Sequence, residues 1–275
     1  METRSGQKPN SEDYKINSLP DSTSDFRKKD IEYLKIKYEE VKDPNDIIMQ
    51  QDSIIPEFLF IKNYNRKDIQ NIDDLDNHDE LNNDEKTLID LLQRIIKNED
   101  LRIGTRESFT DTFVDHLLRK LGFETYPLRL NVKPFYSMKI KNKEITSEYD
   151  FSIEKRKSIL MVEEDKHLKN TVKSQEYGEY QIAGEILAGG FTNYVDNPCD
   201  QIIYGMRVIG TKFTFYKSYI CEEYLGSLAY GLPEKEMKIY KYSKNTEKGY
   251  DFMDINDRKE ILQMLTSFKS QFLIN

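Results

Sequence analysis

The chain is short of the residues that build several common kinds of site. Its 275 residues include two cysteines, Cys199 and Cys221, and three histidines. A disulfide framework and a cysteine zinc cluster both need more thiols, so both are excluded, and a reducing, intracellular compartment fits. Nucleus and cytoplasm are not separated, because Arg27-Lys28-Lys29 is too short for a nuclear signal. Three scattered histidines disfavour a site made of several imidazoles. No apolar run approaches the ~18 residues of a membrane span. The best candidate, 54–61, carries Glu57 inside it. The opening METRSGQKPN has no apolar stretch behind its basic residue, so neither a secretory leader nor a membrane partner is expected.

What is present is polar and unevenly charged. Hydrophobic residues make up 37% and charged residues 33%, so part of the chain is expected to be tail or loop. The formal net charge is −8. Residues 1–100 hold 15 basic and 24 acidic side chains, against 26 and 25 in 101–275. The acidity sits in the first third, and the overall charge argues against non-specific binding of polyanions. A local basic groove further along remains compatible with it.

The patterning divides the chain at about residue 84. Residues 1–28 are poor in apolar side chains and predict a disordered tail. Residues 29–83 read as an acidic extension or linker with short apolar patches at Ile31–Ile36 and Ile54–Phe60. The stretch 67–85 is either a solvated linker or an acidic arm over a basic groove. From 84 to 275 the periodicities sharpen. Leu88, Leu91, Leu92, Ile95 and Ile96 follow helical spacing. A second helix spans about 105–121, closed by Gly122. Alternation predicts strands around 128–132, 136–140 and 149–153, and Ser158–Val162 reads as a strand buried on both faces. A helix at about 173–188 closed by Gly189-Gly190 follows. Strands come next near 201–209 and 213–220, a short helix near 222–230, a strand at 237–242 and a last helix from about 256 to 273. This order predicts an α/β (α+β) domain, a central mixed β-sheet flanked by helices.

One constellation carries chemistry. Asp150 follows Tyr149, and Glu164-Asp165-Lys166 ends the apolar strand. At period two, Leu160, Val162, Glu164 and Lys166 share one face, and Ile159, Met161, Glu163 and Asp165 the other. A hairpin return can place Asp150 beside Glu164. Two neighbouring carboxylates repel, and a magnesium ion relieves that repulsion. A lysine beside such an ion can orient an attacking water and offset developing negative charge. On the helix before it, Glu107 falls between Val114 and Leu118 at the edge of the apolar stripe. It is either a metal-site acid or a first-turn acid favoured by the helix dipole. Asp111 is the weaker candidate, and His116 is expected to face solvent. On the helix after it, Gln181 and Glu185 lie one turn apart, where Gln181 can meet a phosphate or a metal-bound water, or simply be surface polar. Lys169 and Lys173 are either phosphate contacts or ordinary surface lysines, and His167 is read as incidental.

Asp150, Glu164 and Lys166, framed by helices bearing Glu107 and Gln181, resemble the PD-(D/E)XK (restriction-endonuclease-like) nuclease superfamily over about residues 84–220. The stretches 162–166, 179–188 and 207–216 also look like uncharacterised fungal proteins with such a domain, some of them Crinkler-like. The resemblance implies a restriction-endonuclease-like fold. It implies Asp150 and Glu164 as magnesium ligands, the Asp165 backbone carbonyl as a third, and Lys166 near the attacking water. Manganese is expected to substitute for magnesium. The namesake proline is Tyr149 here. The expected activity is metal-dependent hydrolysis of nucleic-acid phosphodiesters, DNA ahead of RNA, with a homodimer as one option. The alternative is a catalytically inactive binding or effector module on the same fold.

Overall fold

The computed structural model describes residues 11–51, 54–99, 107–166, 177–244 and 249–274; the side chains of Lys62, Asp165, Lys166 and Tyr177 fall outside the described set. The expectations for His167, Lys169, Lys173 and the first residues of both site-flanking helices therefore lie outside the described residues.

The architecture is α+β, a mixed sheet between two helical layers. Its strands are β1 (Ile36–Val41), β2 (Leu128–Val132), β5 (Phe151–Lys155), β6 (Ser158–Lys166), β7 (Gln201–Ile209), β8 (Lys212–Ile220) and β9 (Met237–Tyr242), in the order β1-β9-β8-β7-β6-β5-β2. The short β10 (Tyr250–Asp251) pairs with β8. β6–β7 and β1–β9 are parallel and the other neighbours antiparallel. A separate hairpin, β3 (Phe135–Ile140) and β4 (Lys143–Glu148), stands beside it.

One face of the sheet packs on α4 (Asn83–Glu99), α5 (Ser108–Lys120) and α8 (Ile255–Ile274), while the short α7 (Glu222–Ser227) buries Tyr224 and Leu225 in the core of the other face. The apolar stripes of α4, α5 and α8 meet Phe151, Met161, Met206, Val208, Phe213 and Phe215. The other face packs on α6 (Tyr177–Asp196), whose Ile182, Ala183, Ile186 and Leu187 meet Val162, Ile203, Tyr216 and Ile239. α6 does not stop at Gly189-Gly190. The pair lies on its inner face, where a Cβ at Gly190 would come within 2.6 Å of Ile220 Cδ1. The glycines let a helix approach a sheet rather than ending it.

The tail and linker expectations do not hold for the described part of residues 11–83. The helix α1 (Ser11–Ser18) buries Ile16, and Leu19, Phe26, Ile31 and Leu34 enter the α6-side core, the last two in and just after α2 (Lys28–Tyr33). Spaced apolar residues among polar neighbours look like a solvated chain until something covers them. Ile69, Ile72 and Leu81 bury in the other core. The Gln93 side chain donates to the carbonyls of Ile69, in α3 (Arg66–Gln70), and Ile72, both at 2.8 Å, which fixes the acidic stretch on α4. Asn82 and Glu85 exchange reciprocal 2.9 Å bonds at the start of α4, a capping box that uses one of those acids structurally.

β6 also departs from simple alternation. A bulge shifts the register between Ile153 and Glu154, so Ile159 and Val162 share the α6 face while Leu160 and Met161 meet the opposite core. Beyond the bulge the expected alternation holds, and Glu164 stays on the face of Val162.

Candidate functional site

The end of β6 does something costly: Glu163 and Glu164 are each only 2% exposed. A carboxylate leaves water only when cations, donors or protons compensate it. Glu163 faces the α5 side, while Glu164 faces α6 and lies in register with Arg207 on β7. From α6, Glu185 comes down with no exposure at all, and its carboxyl meets that of Glu164. Gln181, one turn earlier, donates from Nε2 to Glu185 Oε1 at 2.9 Å, leaving the buried Oε2 without a hydrogen-bond partner among the described residues. Burial, then the charge and contact of Glu164, and more weakly the charge of Asp150, push the Glu185 carboxyl well above the usual carboxylate range.

Asp150 enters from the loop between β4 and β5. Its backbone N–H donates to Glu163 O at 3.2 Å, and its carbonyl accepts from Lys133 N at 2.9 Å. These bonds pin it between the β2–β3 turn and β6. The Lys133 ammonium pairs with the Asp150 carboxylate and stands 3.4 Å from Asp111 Oδ2 on α5. Burial works against that ammonium, but the bond to Asp150 and the charges of Asp150 and Asp111 outweigh it and raise its pKa. Tyr149, where the resemblance implies a proline, is fully buried. Its hydroxyl donates to the Glu185 carbonyl at 3.0 Å, tying the Asp150 loop to the turn of α6 that carries Glu185.

Next to this acidic group lies a second buried cluster. Glu179 Oε1 accepts from Arg207 Nη2 at 2.9 Å, Lys241 Nζ at 2.8 Å and the Tyr216 hydroxyl at 3.1 Å. The Tyr38 hydroxyl, on β1, donates to the Glu179 carbonyl. Burial disfavours the Arg207 guanidinium, yet Tyr216, Glu179, Tyr38 and Glu164 more than restore its charge. Five strands, β1, β6, β7, β8 and β9, and α6 thus contribute to one polar seam at the carboxyl end of β6.

The expected residues fall out unequally. Asp150, Glu164 and Gln181 are brought to one place, joined by Glu185. Asp111, the weaker candidate on α5, reaches the group through Lys133. Glu107 is half-buried at the start of α5 with helical backbone angles and no capping bond from its side chain. The backbone of Asp165 and Lys166 continues β6 opposite Val208 and Ile209, and their side chains lie outside the described residues. His116 is half-buried rather than solvent-facing, and burial, then Lys120, lowers its pKa. Sequence reasoning missed Lys133, Glu179, Arg207 and Lys241 because a lone charge on a turn, helix or strand reads as a solvated side chain until its partner is known. The signal was there in one form: Arg207 interrupts the otherwise apolar Met206-Arg207-Val208-Ile209.

Among the described residues, no group of three or more His, Cys, Asp or Glu is gathered closely enough to hold a metal by side chains alone. The donor set fits a magnesium ion in a narrower sense. Magnesium keeps several waters and takes one or two carboxylates. Glu164, the adjacent backbone and Glu185 offer hard oxygen donors, and a divalent ion would relieve the opposition of the two carboxyls. No helix among the described residues is long and apolar enough to cross a membrane. No protein-family model and no curated protein matches the chain.

Proposed function

We propose that the chain is a metal-dependent nuclease of the restriction-endonuclease-like kind, hydrolysing nucleic-acid phosphodiesters, with DNA ahead of RNA. The observation that carries this reading is the meeting of the Glu164 and Glu185 carboxyls in a buried site that also feels the charge of Asp150. Buried carboxylates in contact are costly to stability, and such costs concentrate at functional sites. Asp150 and Glu164, with the Asp165 carbonyl, would hold magnesium or manganese. The ion supplies positive charge against the charge that develops on the scissile phosphate.

The chain's own residues set the geometry. Gln181 fixes one oxygen of Glu185 and turns the other inward. Tyr149 fixes the height of α6 against the Asp150 loop. Lys133 pairs with the Asp150 carboxylate and would be displaced from it by the ion. Lys166 is assigned to orient the attacking water and to offset charge on the departing phosphate oxygen.

A second reading, an inactive binding or effector module, draws on the Lys133–Asp150 ion pair, which already neutralises one of the assigned ligands. The experiment that separates them incubates plasmid, linear duplex, single-stranded DNA and structured RNA with the protein in magnesium, manganese or EDTA. Glu164→Gln and Lys166→Ala run alongside. Metal-dependent cleavage lost in both variants supports the nuclease. Absence of cleavage by folded protein on every substrate refutes it and leaves the binding module.

A further inference from the structure

Arg207 breaks into the apolar β7 and is 5% exposed, so its guanidinium is held almost entirely out of water. Two contacts fix how it lies. Its Cδ–Nη1 side rests on the first turn of α6 at Gly178, where an added Cβ would come within 3.1 Å of Nη1 and 3.3 Å of Cδ. Its other edge carries Nε and Nη2, the pair of N–H groups that grips a carboxylate or phosphate by two parallel bonds. Only half of that edge is used. Nη2 donates to Glu179 Oε1 at 2.9 Å, while the buried Nε has no hydrogen-bond partner among the described residues. A buried N–H without an acceptor costs free energy, so this one calls for an explanation.

The acceptor side is as uneven as the donor side. Glu179 Oε1 receives Arg207 Nη2, Lys241 Nζ at 2.8 Å and the Tyr216 hydroxyl at 3.1 Å. A carboxylate oxygen offers about two lone pairs. Three donors therefore converge on an oxygen that serves two, with Nε beside them unserved. The donors stand on β7, β8 and β9, which are neighbours in the sheet, so the sheet itself sets their spacing. Such a set matches an anion with several acceptor oxygens, which a phosphate has. Its place matters as much as its chemistry. Arg207 is the register partner of Glu164 on the parallel neighbour β6, at a strand spacing of about 4.8 Å, and both side chains meet α6. An anion on the Nε edge would lie beside the carboxylate assigned to the metal.

We propose that Arg207, Lys241 and Tyr216 form a phosphate cup next to the carboxylate site, which Glu179 fills until a substrate phosphate takes over its donors. The proposal rests on the nuclease reading for its ligand and adds to it the groups that grip the substrate beside the metal. The phosphate accepts from both Nε and Nη2 of Arg207, from Lys241 Nζ and from the Tyr216 hydroxyl. Glu179 is the most exposed of the charged members, its side chain at 15% against 6% for Arg207 and 8% for Lys241, so it can swing towards solvent without opening the core.

The test follows thermal unfolding in EDTA with inorganic phosphate as the probe, against sodium chloride at matched ionic strength, so that neither metal nor cleavage takes part. The melting temperature of the wild type should rise with phosphate along a curve that saturates, as binding does, rather than the unbroken rise that salt exclusion produces. Arg207→Lys keeps the charge and loses the bidentate edge, and should weaken the apparent phosphate affinity by at least about 10-fold. Lys241→Met removes one donor and leaves the Arg207–Glu179 pair, and should weaken it as well. Tyr216→Phe keeps the ring in the core and gives the same readout where a charge variant does not fold. A merely structural role would lower the melting temperatures and leave the half-saturating phosphate concentration where it was. No saturable response in the wild type, or a half-saturating concentration unchanged in the folded variants, would overturn the cup. The two readings fail separately. Magnesium-dependent cleavage without a saturable phosphate response removes the cup and keeps the nuclease. A saturable response weakened in the variants, without cleavage of any nucleic acid, removes the nuclease and keeps the cup.

Discussion

The Tyr149 hydroxyl donates to the main-chain carbonyl of Glu185 at 3.0 Å, inside the α6-side core. That one bond couples the residue before Asp150 to the residue that meets Glu164. Tyr149 thereby anchors the loop that carries Asp150 to α6.

Tyr149→Phe keeps the ring and removes the anchor. The carbonyl keeps its helical bond, so the loss should be about 0.5–1.5 kcal/mol. Urea unfolding with unchanged m-value would report it. If the nuclease reading holds, cleavage should fall more than stability does, because Asp150 and Glu185 lose their common reference. A variant with reduced stability and fully retained cleavage would assign the bond a structural role only.

Glu185→Gln tests the meeting of carboxyls through pH. The folded-state pKa of Glu185 is raised above its unfolded value, so the folded state holds a proton that the unfolded chain releases. The native state therefore loses stability as pH rises from about 4.3, the ordinary glutamate value, towards the raised folded pKa. Glutamine removes that loss. In EDTA the variant should gain on the wild type as pH rises above the ordinary glutamate value. A stability difference that is flat across this range would show that the two carboxyls do not oppose each other.

Lys133→Met removes the cation that pairs with Asp150. The ammonium is 47% exposed, so the stability change should stay below about 1 kcal/mol. The effect on metal binding should be larger. With its cationic partner gone, Asp150 should take magnesium at lower concentration, seen by calorimetry. A weaker magnesium affinity in Lys133→Met would mean that the lysine positions the carboxylate rather than competing for it.

Phe26→Ala tests whether the amino-terminal segment belongs to the domain. The ring is completely buried and lies against α6 near Gly184, where an added Cβ would come within 2.9 Å of it. Truncation should cost about 3–5 kcal/mol. A loss below 1 kcal/mol would show the segment to be dispensable to the core.

The sequence made the middle of the fold readable and its margins less so. β7, β8 and α8 stand out because their apolar patterns are long. β1 does not, since Ile36-Lys37-Tyr38-Glu39-Glu40-Val41 buries little on its own and becomes a strand through β9. The face assignment of Ile159 and Leu160 was lost to a bulge, which period-two reasoning has no means to place. At the site, Asp150, Glu164 and Gln181 were legible because each ends or borders an apolar run. Arg207 and Glu179 were not, because their partner is each other, about 30 residues apart and on different elements. Glu185 was visible as a polar turn of α6, but not its full burial.

The pairing of β1 with β9 has a consequence for how the molecule is made. Ile36 lies opposite Met237, about 200 residues later in the chain, and contacts that distant form slowly. During synthesis the early strand must wait, unpaired, until β9 has left the ribosome. Tyr38 reaches the Glu179 carbonyl only once that pairing is complete. Nascent chains interrupted before residue 237 should therefore lack the finished polar seam, so that the site is completed only after β9 has emerged.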